Sequence, residues 1–168
     1  DAIPERGAIK ARLTKLWNYE RFGVPFKRGG NYFYNRNDGL QNQAVLFVTE
    51  NLNGSGRILL DPNTLSKDGT IALSDISASE DGKLLAYGIS VGGSDWVTWK
   101  VRDVAIGKDL DDEIKWSKFS GASWMKDGSG FYYSAYNAPA TGEAMKGVNK
   151  NQKVFFHKIG TRQESDLL

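Results

Sequence analysis

Three short stretches share one pattern, and that pattern restricts the fold more than any other feature of the chain. "RGGNYFY" (Arg28 to Tyr34), "DGKLLAY" (Asp81 to Tyr87) and "DGSGFYY" (Asp127 to Tyr133) each place a glycine five residues ahead of a tyrosine, at Gly29/Tyr34, Gly82/Tyr87 and Gly128/Tyr133. The glycines lie 53 and then 46 residues apart. A second run follows each unit: "AVLFVTE" from Ala44, "WVTWKVRD" from Trp96 and "KVFFHKI" from Lys153. Two units continue into shorter runs, "RILLDP" from Arg57 and "SDLL" from Ser165, and two are preceded by one, "ISAS" from Ile76 and "SKFSGASW" from Ser117. Aromatic and β-branched runs between Gly, Asn and Asp residues read as strands. Repeats of roughly 40 to 50 residues with about four strands each are the signature of β-propeller blades. An antiparallel sandwich with hairpins of similar length is the alternative. In either fold Asp81-Gly82 and Asp127-Gly128 turn the chain between strands, because glycine takes a positive φ without steric cost.

Only the stretch before the repeats has a helical period. Ile9, Leu13, Leu16 and Trp17 recur at i, i+4, i+7 and i+8, one stripe of a helix, and Pro4 suits its first turn. The expected fold is therefore all-β, an incomplete propeller of about three blades preceded by a short N-terminal helix. Three blades do not close a ring, since closed propellers typically have about four to eight. Open edges and apolar blade faces would be left over, which makes self-association plausible. Together with a start at Asp1 rather than Met, this points to a piece of a larger protein.

Composition removes several functional classes. The 22 basic and 20 acidic residues give a net charge of +2 and are interspersed, so there is no basic stripe to displace counterions from a nucleic acid. There is no cysteine, which excludes disulfides, thiolate nucleophiles and Cys-ligated zinc while allowing either cytoplasm or periplasm. With a single histidine, a transition-metal site is not expected. "DPNTLSKDG" (Asp61 to Gly69) offers oxygen atoms but not the spacing of a calcium loop, and reads as a turn between blades. No apolar run approaches the ~18 residues of a membrane-spanning helix, and the N-terminus lacks the apolar core of a signal peptide. A soluble protein that needs no cofactor, membrane or nucleic acid is the expectation.

Gly88-Ile89-Ser90-Val91-Gly92 matches G-x-S-x-G, and aspartates lie between Ser90 and the lone His157, so the order Ser…Asp…His is present. A nucleophile elbow, however, needs a strand, a sharp turn and then a helix. "WVTWKV" follows Ser90 and alternates like a second strand, so the glycines read as hairpin residues. His157 alternates with Phe156 and Lys158 within a strand and reads as a face-lining or surface residue. No catalytic residue is assigned. The tryptophans Trp96, Trp99, Trp116 and Trp124 read as inter-blade packing, with a sugar-binding platform as the alternative.

The wording of four segments carries more than periodicity. "GLQNQAVLFV" (Gly39 to Val48), "LLDPNTLSKDGTIAL" (Leu59 to Leu73), "SEDGKLLAYGISVGGSDWVTWKV" (Ser79 to Val101) and "KFSGASWMKDGSGFYYSAY" (Lys118 to Tyr136) closely resemble the prolyl oligopeptidases, a family of serine peptidases. The resemblance runs from about Leu13 to Leu168. It implies a parent in which a seven-bladed propeller covers an α/β-hydrolase domain and admits only short, proline-containing peptides, which are cut on the carboxyl side of proline. It also implies that residues 1–17 are the end of a segment belonging to the hydrolase domain and that residues 18–168 are the first blades. The family's own serine, aspartate and histidine lie in the hydrolase domain and have no counterpart here. One functional residue carries over: Phe119 matches the phenylalanine of the "KFS" segment that lines the pocket for a substrate residue upstream of proline. Without the resemblance, Phe119 would be expected to pack between blades. A stand-alone binding module without catalytic activity is the rival reading of the whole chain.

Overall fold

The computed structural model describes residues 3–168, and its strands fall into three antiparallel meanders that stack face to face. Helix α1 (Arg6–Trp17) comes first, with Glu5 at its N-cap, so Pro4 lies just ahead of the helix rather than in its first turn. The first blade contains β1 (Arg21–Phe22), β2 (Phe26–Arg28), β3 (Asn31–Asn37), β4 (Val45–Thr49) and β5 (Arg57–Leu60). Here β1 and β2 both pair with β3, so they act as one interrupted strand along its edge. The second blade is a four-stranded meander of β6 (Ile71–Ala78), β7 (Leu84–Val91), β8 (Val97–Asp103) and β9 (Lys108–Ser117). The third holds β10 (Ser123–Trp124), β11 (Gly130–Ala135) and β12 (Lys153–Lys158), with Leu167 bridging Phe156 as the start of a fourth edge. The second and third sheets join through one pair, Ser117 with Ala135.

This is the incomplete propeller that the repeats imply, because the repeated elements occupy equivalent places. Gly29, Gly82 and Gly128 all have positive φ, and each sits in the turn leading into the second strand of its blade, β3, β7 or β11. The tyrosines are equivalent too. Tyr87 belongs to the core between blades one and two, Tyr133 to the core between blades two and three, and Tyr34 lies on the outer face of blade one, stacked on Phe47. Tyr87 and Tyr133 thus each face the blade before their own, and Tyr34 takes the equivalent face of blade one.

Strand alternation builds the two cores. Leu85 and Tyr87 of β7 pack with Phe33, Leu46, Val48 and Leu60 of blade one. Ala86, one residue out of phase, points the other way and packs with Trp99, Val101, Ile114, Phe131 and Tyr133. Of the four tryptophans read as inter-blade packing, Trp99 is fully buried and Trp124 packs against the same core, donating from Nε1 to the Ser77 carbonyl. Trp96 and Trp116 depart from that reading and gather at the end of the blades. "DPNTLSKDG" links blades one and two, as expected of a turn, and contains a short 3-10 helix (Pro62–Thr64) capped by the Asp61 carboxylate, which accepts from the Asn63 amide N–H at 2.9 Å.

Candidate functional site

Strand register places several chain segments at one end of the blades. Ser90 pairs with Val97, Val97 with Ser117, Ser117 with Ala135, and Ala135 with Lys153. The turn after β7, the β9–β10 connection and the long 136–152 loop after β11 therefore share one rim. Phe119 lies in the β9–β10 connection. It is 78% exposed and does not pack between blades, contrary to what its residue type alone suggests. Its φ is +51°, a left-handed conformation that is rare for a bulky side chain. Trp116, three residues earlier, has a φ of +62°.

Strained backbone of this kind persists where its neighbours hold it, and the neighbours of Phe119 are anchored on both sides. Lys118 is only 8% exposed, and its Nζ lies 3.9 Å from the centroid of the Trp96 ring. The Lys118 carbonyl accepts from Gln152 Nε2 at 3.0 Å. On the other side, Ser120 Oγ accepts from the Ser134 amide N–H at 2.7 Å. Trp96 is itself fixed: its Nε1 donates to the Ala144 carbonyl at 2.6 Å, and Trp116 and Tyr136 meet it edge to face at 5.5 and 6.0 Å. A cavity of about 200 Å³ opens beside Trp96 and Tyr136 under the loop, with Pro139, Glu143, Val148 and Lys150 in its wall.

Ser90 and His157 are not brought together. Ser90 is near the rim end of β7, paired with Ala72 and Val97 of the flanking strands, and no helix follows it. His157 is on another blade, towards the opposite end of β12, where it pairs with Phe131. Nor is it a surface residue: it is completely buried, with Nε2 2.9 Å from Asp112 Oδ1 and Nδ1 2.8 Å from Asp166 Oδ1. Two carboxylates facing two ring nitrogens require both nitrogens to donate, so the ring is an imidazolium. Burial opposes the charge, but the hydrogen bonds and charges of Asp112 and Asp166 outweigh it and hold the pKa above the ordinary 6.5. A histidine already protonated and sealed from solvent has no capacity to take a proton from a serine. The sequence reading missed this cluster, whose members are 45 and 9 residues from His157. Its one signal is the acidic run Asp109, Asp111, Asp112 and Glu113.

A related clamp holds blade two. Tyr87 donates to Asp109 Oδ2 at 2.8 Å, Arg102 Nε to Asp109 Oδ1 at 2.6 Å, and Arg102 Nη1 reaches the Leu59 carbonyl of blade one at 2.6 Å. These charged groups join blades one and two. Among the described residues no cluster of three or more His, Asp or Glu is placed to hold a metal ion, and no helix is long and apolar enough to cross a membrane.

Helix α1 exposes its stripe. Ile9, Leu13 and Trp17 are each about half exposed and form an open apolar groove with Ile3 and Leu40.

Comparison with known proteins places this architecture. All of residues 1–168 match the family model described as the prolyl oligopeptidase N-terminal beta-propeller domain. The chain belongs to the prolyl oligopeptidase family, as its N-terminal propeller portion. The prolyl endopeptidase of Elizabethkingia miricola is 43% identical over 166 residues, covering 99% of this chain and 23% of that protein. A dual function macrocyclase-peptidase of Galerina marginata is 35% identical over 182 residues, covering 96% of this chain and 24% of that protein. Among solved structures, prolyl oligopeptidase B from Galerina marginata, bound to a 35mer hydrolysis and macrocyclization substrate, superposes with a TM-score of 0.86 at 32% identity, over 98% of this chain and 25% of that one. A structure from a study of two prolyl endopeptidases gives a TM-score of 0.80 at 44% identity, over 99% of this chain and 23% of that one. The chain thus spans about a quarter of the length of these relatives.

Proposed function

We propose that this chain is the opening part of the propeller of a serine endopeptidase that cleaves short peptides on the carboxyl side of proline. The propeller limits access to small peptides, and Phe119 forms part of the wall that receives a residue upstream of proline. The observation that carries this reading is Phe119 itself, an aromatic ring held out from the rim on strained backbone with both neighbours anchored. An exposed ring carried on a held backbone gives apolar contact area to a peptide side chain at little entropic cost.

Bond cleavage belongs to a serine, histidine and aspartate in an α/β-hydrolase domain of the same protein. There the serine attacks the carbonyl after proline while the histidine, oriented by the aspartate, takes its proton. The segment up to Trp17 belongs with that domain, which supplies the partner for the exposed stripe Ile9, Leu13 and Trp17. The outer faces, with Phe22 and Ile58 on blade one and Tyr132 and Val154 on blade three, are the surfaces for adjoining blades and favour self-association when the chain stands alone.

The test is hydrolysis of a Gly-Pro chromogenic peptide by the purified chain. No turnover above buffer is expected. Turnover that disappears in Ser90→Ala would overturn the reading.

A further inference from the structure

We propose that Lys118 and Trp96 are positioning residues that set the direction of the Phe119 ring, and that they couple the 136–152 loop to the substrate preference that the ring confers. The inference rests on the reading of Phe119 as a pocket residue and extends it to groups that do not touch the peptide.

Phe119 is held at a φ of +51°, where an L side chain meets its own backbone, so this geometry is retained only while its surroundings specify it. Ser120 is fixed by the backbone of β11, through the Ser134 amide. Lys118 is fixed differently. Among the described residues no carboxylate forms an ion pair with its ammonium, which instead lies against the Trp96 ring at 3.9 Å with the rest of the side chain buried. A partly desolvated ammonium on an indole face is a directional contact.

Trp96 therefore anchors the residue next to Phe119, and what holds Trp96 also acts on the ring. Its Nε1 is tied to the Ala144 carbonyl within the loop, and Gln152, at the loop's far end, donates to the Lys118 carbonyl. The loop is thus tied to this pair by two hydrogen bonds, one at the indole and one at the Lys118 carbonyl. A movement of the loop that withdraws Ala144 frees the indole, loosens Lys118 and lets the strained backbone at Phe119 relax.

The experiment compares two chromogenic peptides that differ only in carrying a bulky apolar residue or glycine upstream of proline. The enzyme is the full-length protein that contains these residues, as wild type, Phe119→Ala, Lys118→Met and Lys118→Arg. Lys118→Met keeps the apolar stem and removes the charge, whereas Lys118→Arg keeps the cation on the indole face. Lys118→Met is expected to lower the preference for the bulky peptide roughly fivefold. The loss should appear in KM with kcat little changed, and Lys118→Arg should recover most of it. An unchanged preference in Lys118→Met, where Phe119→Ala lowers it, overturns the positioning role alone. An unchanged preference in Phe119→Ala overturns the pocket reading and this inference with it. A loss in kcat shared by both lysine variants marks a general structural defect and also overturns the positioning role.

Discussion

His157 on β12 and Asp112 on β9 meet at 2.9 Å across the interface between the second and third blades, with both side chains sealed from solvent. Asp166 completes the arrangement, taking the other ring nitrogen at 2.8 Å while its second oxygen accepts from Tyr133 at 2.7 Å. The only histidine of the chain is thus a charged bolt between blades.

A specific pH dependence follows. The His157 pKa is raised above 6.5 in the folded chain, so its contribution is complete below about pH 6.5 and is lost as pH rises through the folded value. For Asp112, burial raises the pKa, but bonds from His157 and the Gly160 amide more than offset this and the net direction is downward from 3.8. Its contribution is present above 3.8 and fades as pH falls through the depressed value. Replacing His157 with Gln leaves buried carboxylates without a cation and is expected to cost about 3–5 kcal/mol in the window between those limits. Urea unfolding of both proteins from acid to alkaline pH checks this. The gap should be widest between about pH 3.8 and 6.5, narrowing in acid as the carboxylates protonate and at higher pH as His157 loses its proton; a gap independent of pH would mean that the ring is not charged.

The turns of blades one and two press against each other through glycines. The Gly29 amide donates to the Glu80 carbonyl at 2.9 Å, and a β-carbon on Gly82 would run into the Arg28 carbonyl. Gly128, the equivalent residue of blade three, has the same positive φ but nothing within 4 Å of that position. Gly128→Ala is therefore expected to cost about 1–2 kcal/mol from backbone strain alone. Gly82→Ala should cost roughly 1–3 kcal/mol more, because the turns must also separate to relieve the clash with the Arg28 carbonyl. Equal losses in thermal or urea unfolding would show that the close approach contributes nothing.

Much of this architecture is legible in the chain because a propeller blade repeats its own instructions. The Gly29, Gly82 and Gly128 turns and the tyrosines five residues on recur at equivalent places, and the lack of a helix after Ser90 is enough to reject a nucleophile elbow there. What escapes is whatever depends on neighbours distant in sequence. Strand β9 is not among the runs that the sequence pattern marks, since Lys108, Asp109, Asp111, Asp112, Glu113 and Lys115 leave it few apolar residues. It is an outer strand whose inward residues, Ile114 and Asp112, are buried by the next blade. The burial of His157 follows from carboxylates that only the fold brings to it, and alternation within β12 fixes its face but not its company. Phe119 is the opposite case. Its residue type suggests a core position, and its exposure follows from a backbone conformation that no local pattern announces.

The central claim is that the rim contributes a pocket wall while bond cleavage occurs elsewhere in the protein. Its most direct test is kcat/KM of the full-length protein for a proline peptide carrying a bulky apolar residue upstream of proline, measured for Ser90→Ala and Phe119→Ala side by side. Ser90→Ala should leave kcat/KM unchanged, and Phe119→Ala should lower it by roughly 10-fold, about the worth of one lost aromatic contact in a pocket. Loss of activity in Ser90→Ala together with an unaffected Phe119→Ala would contradict the account.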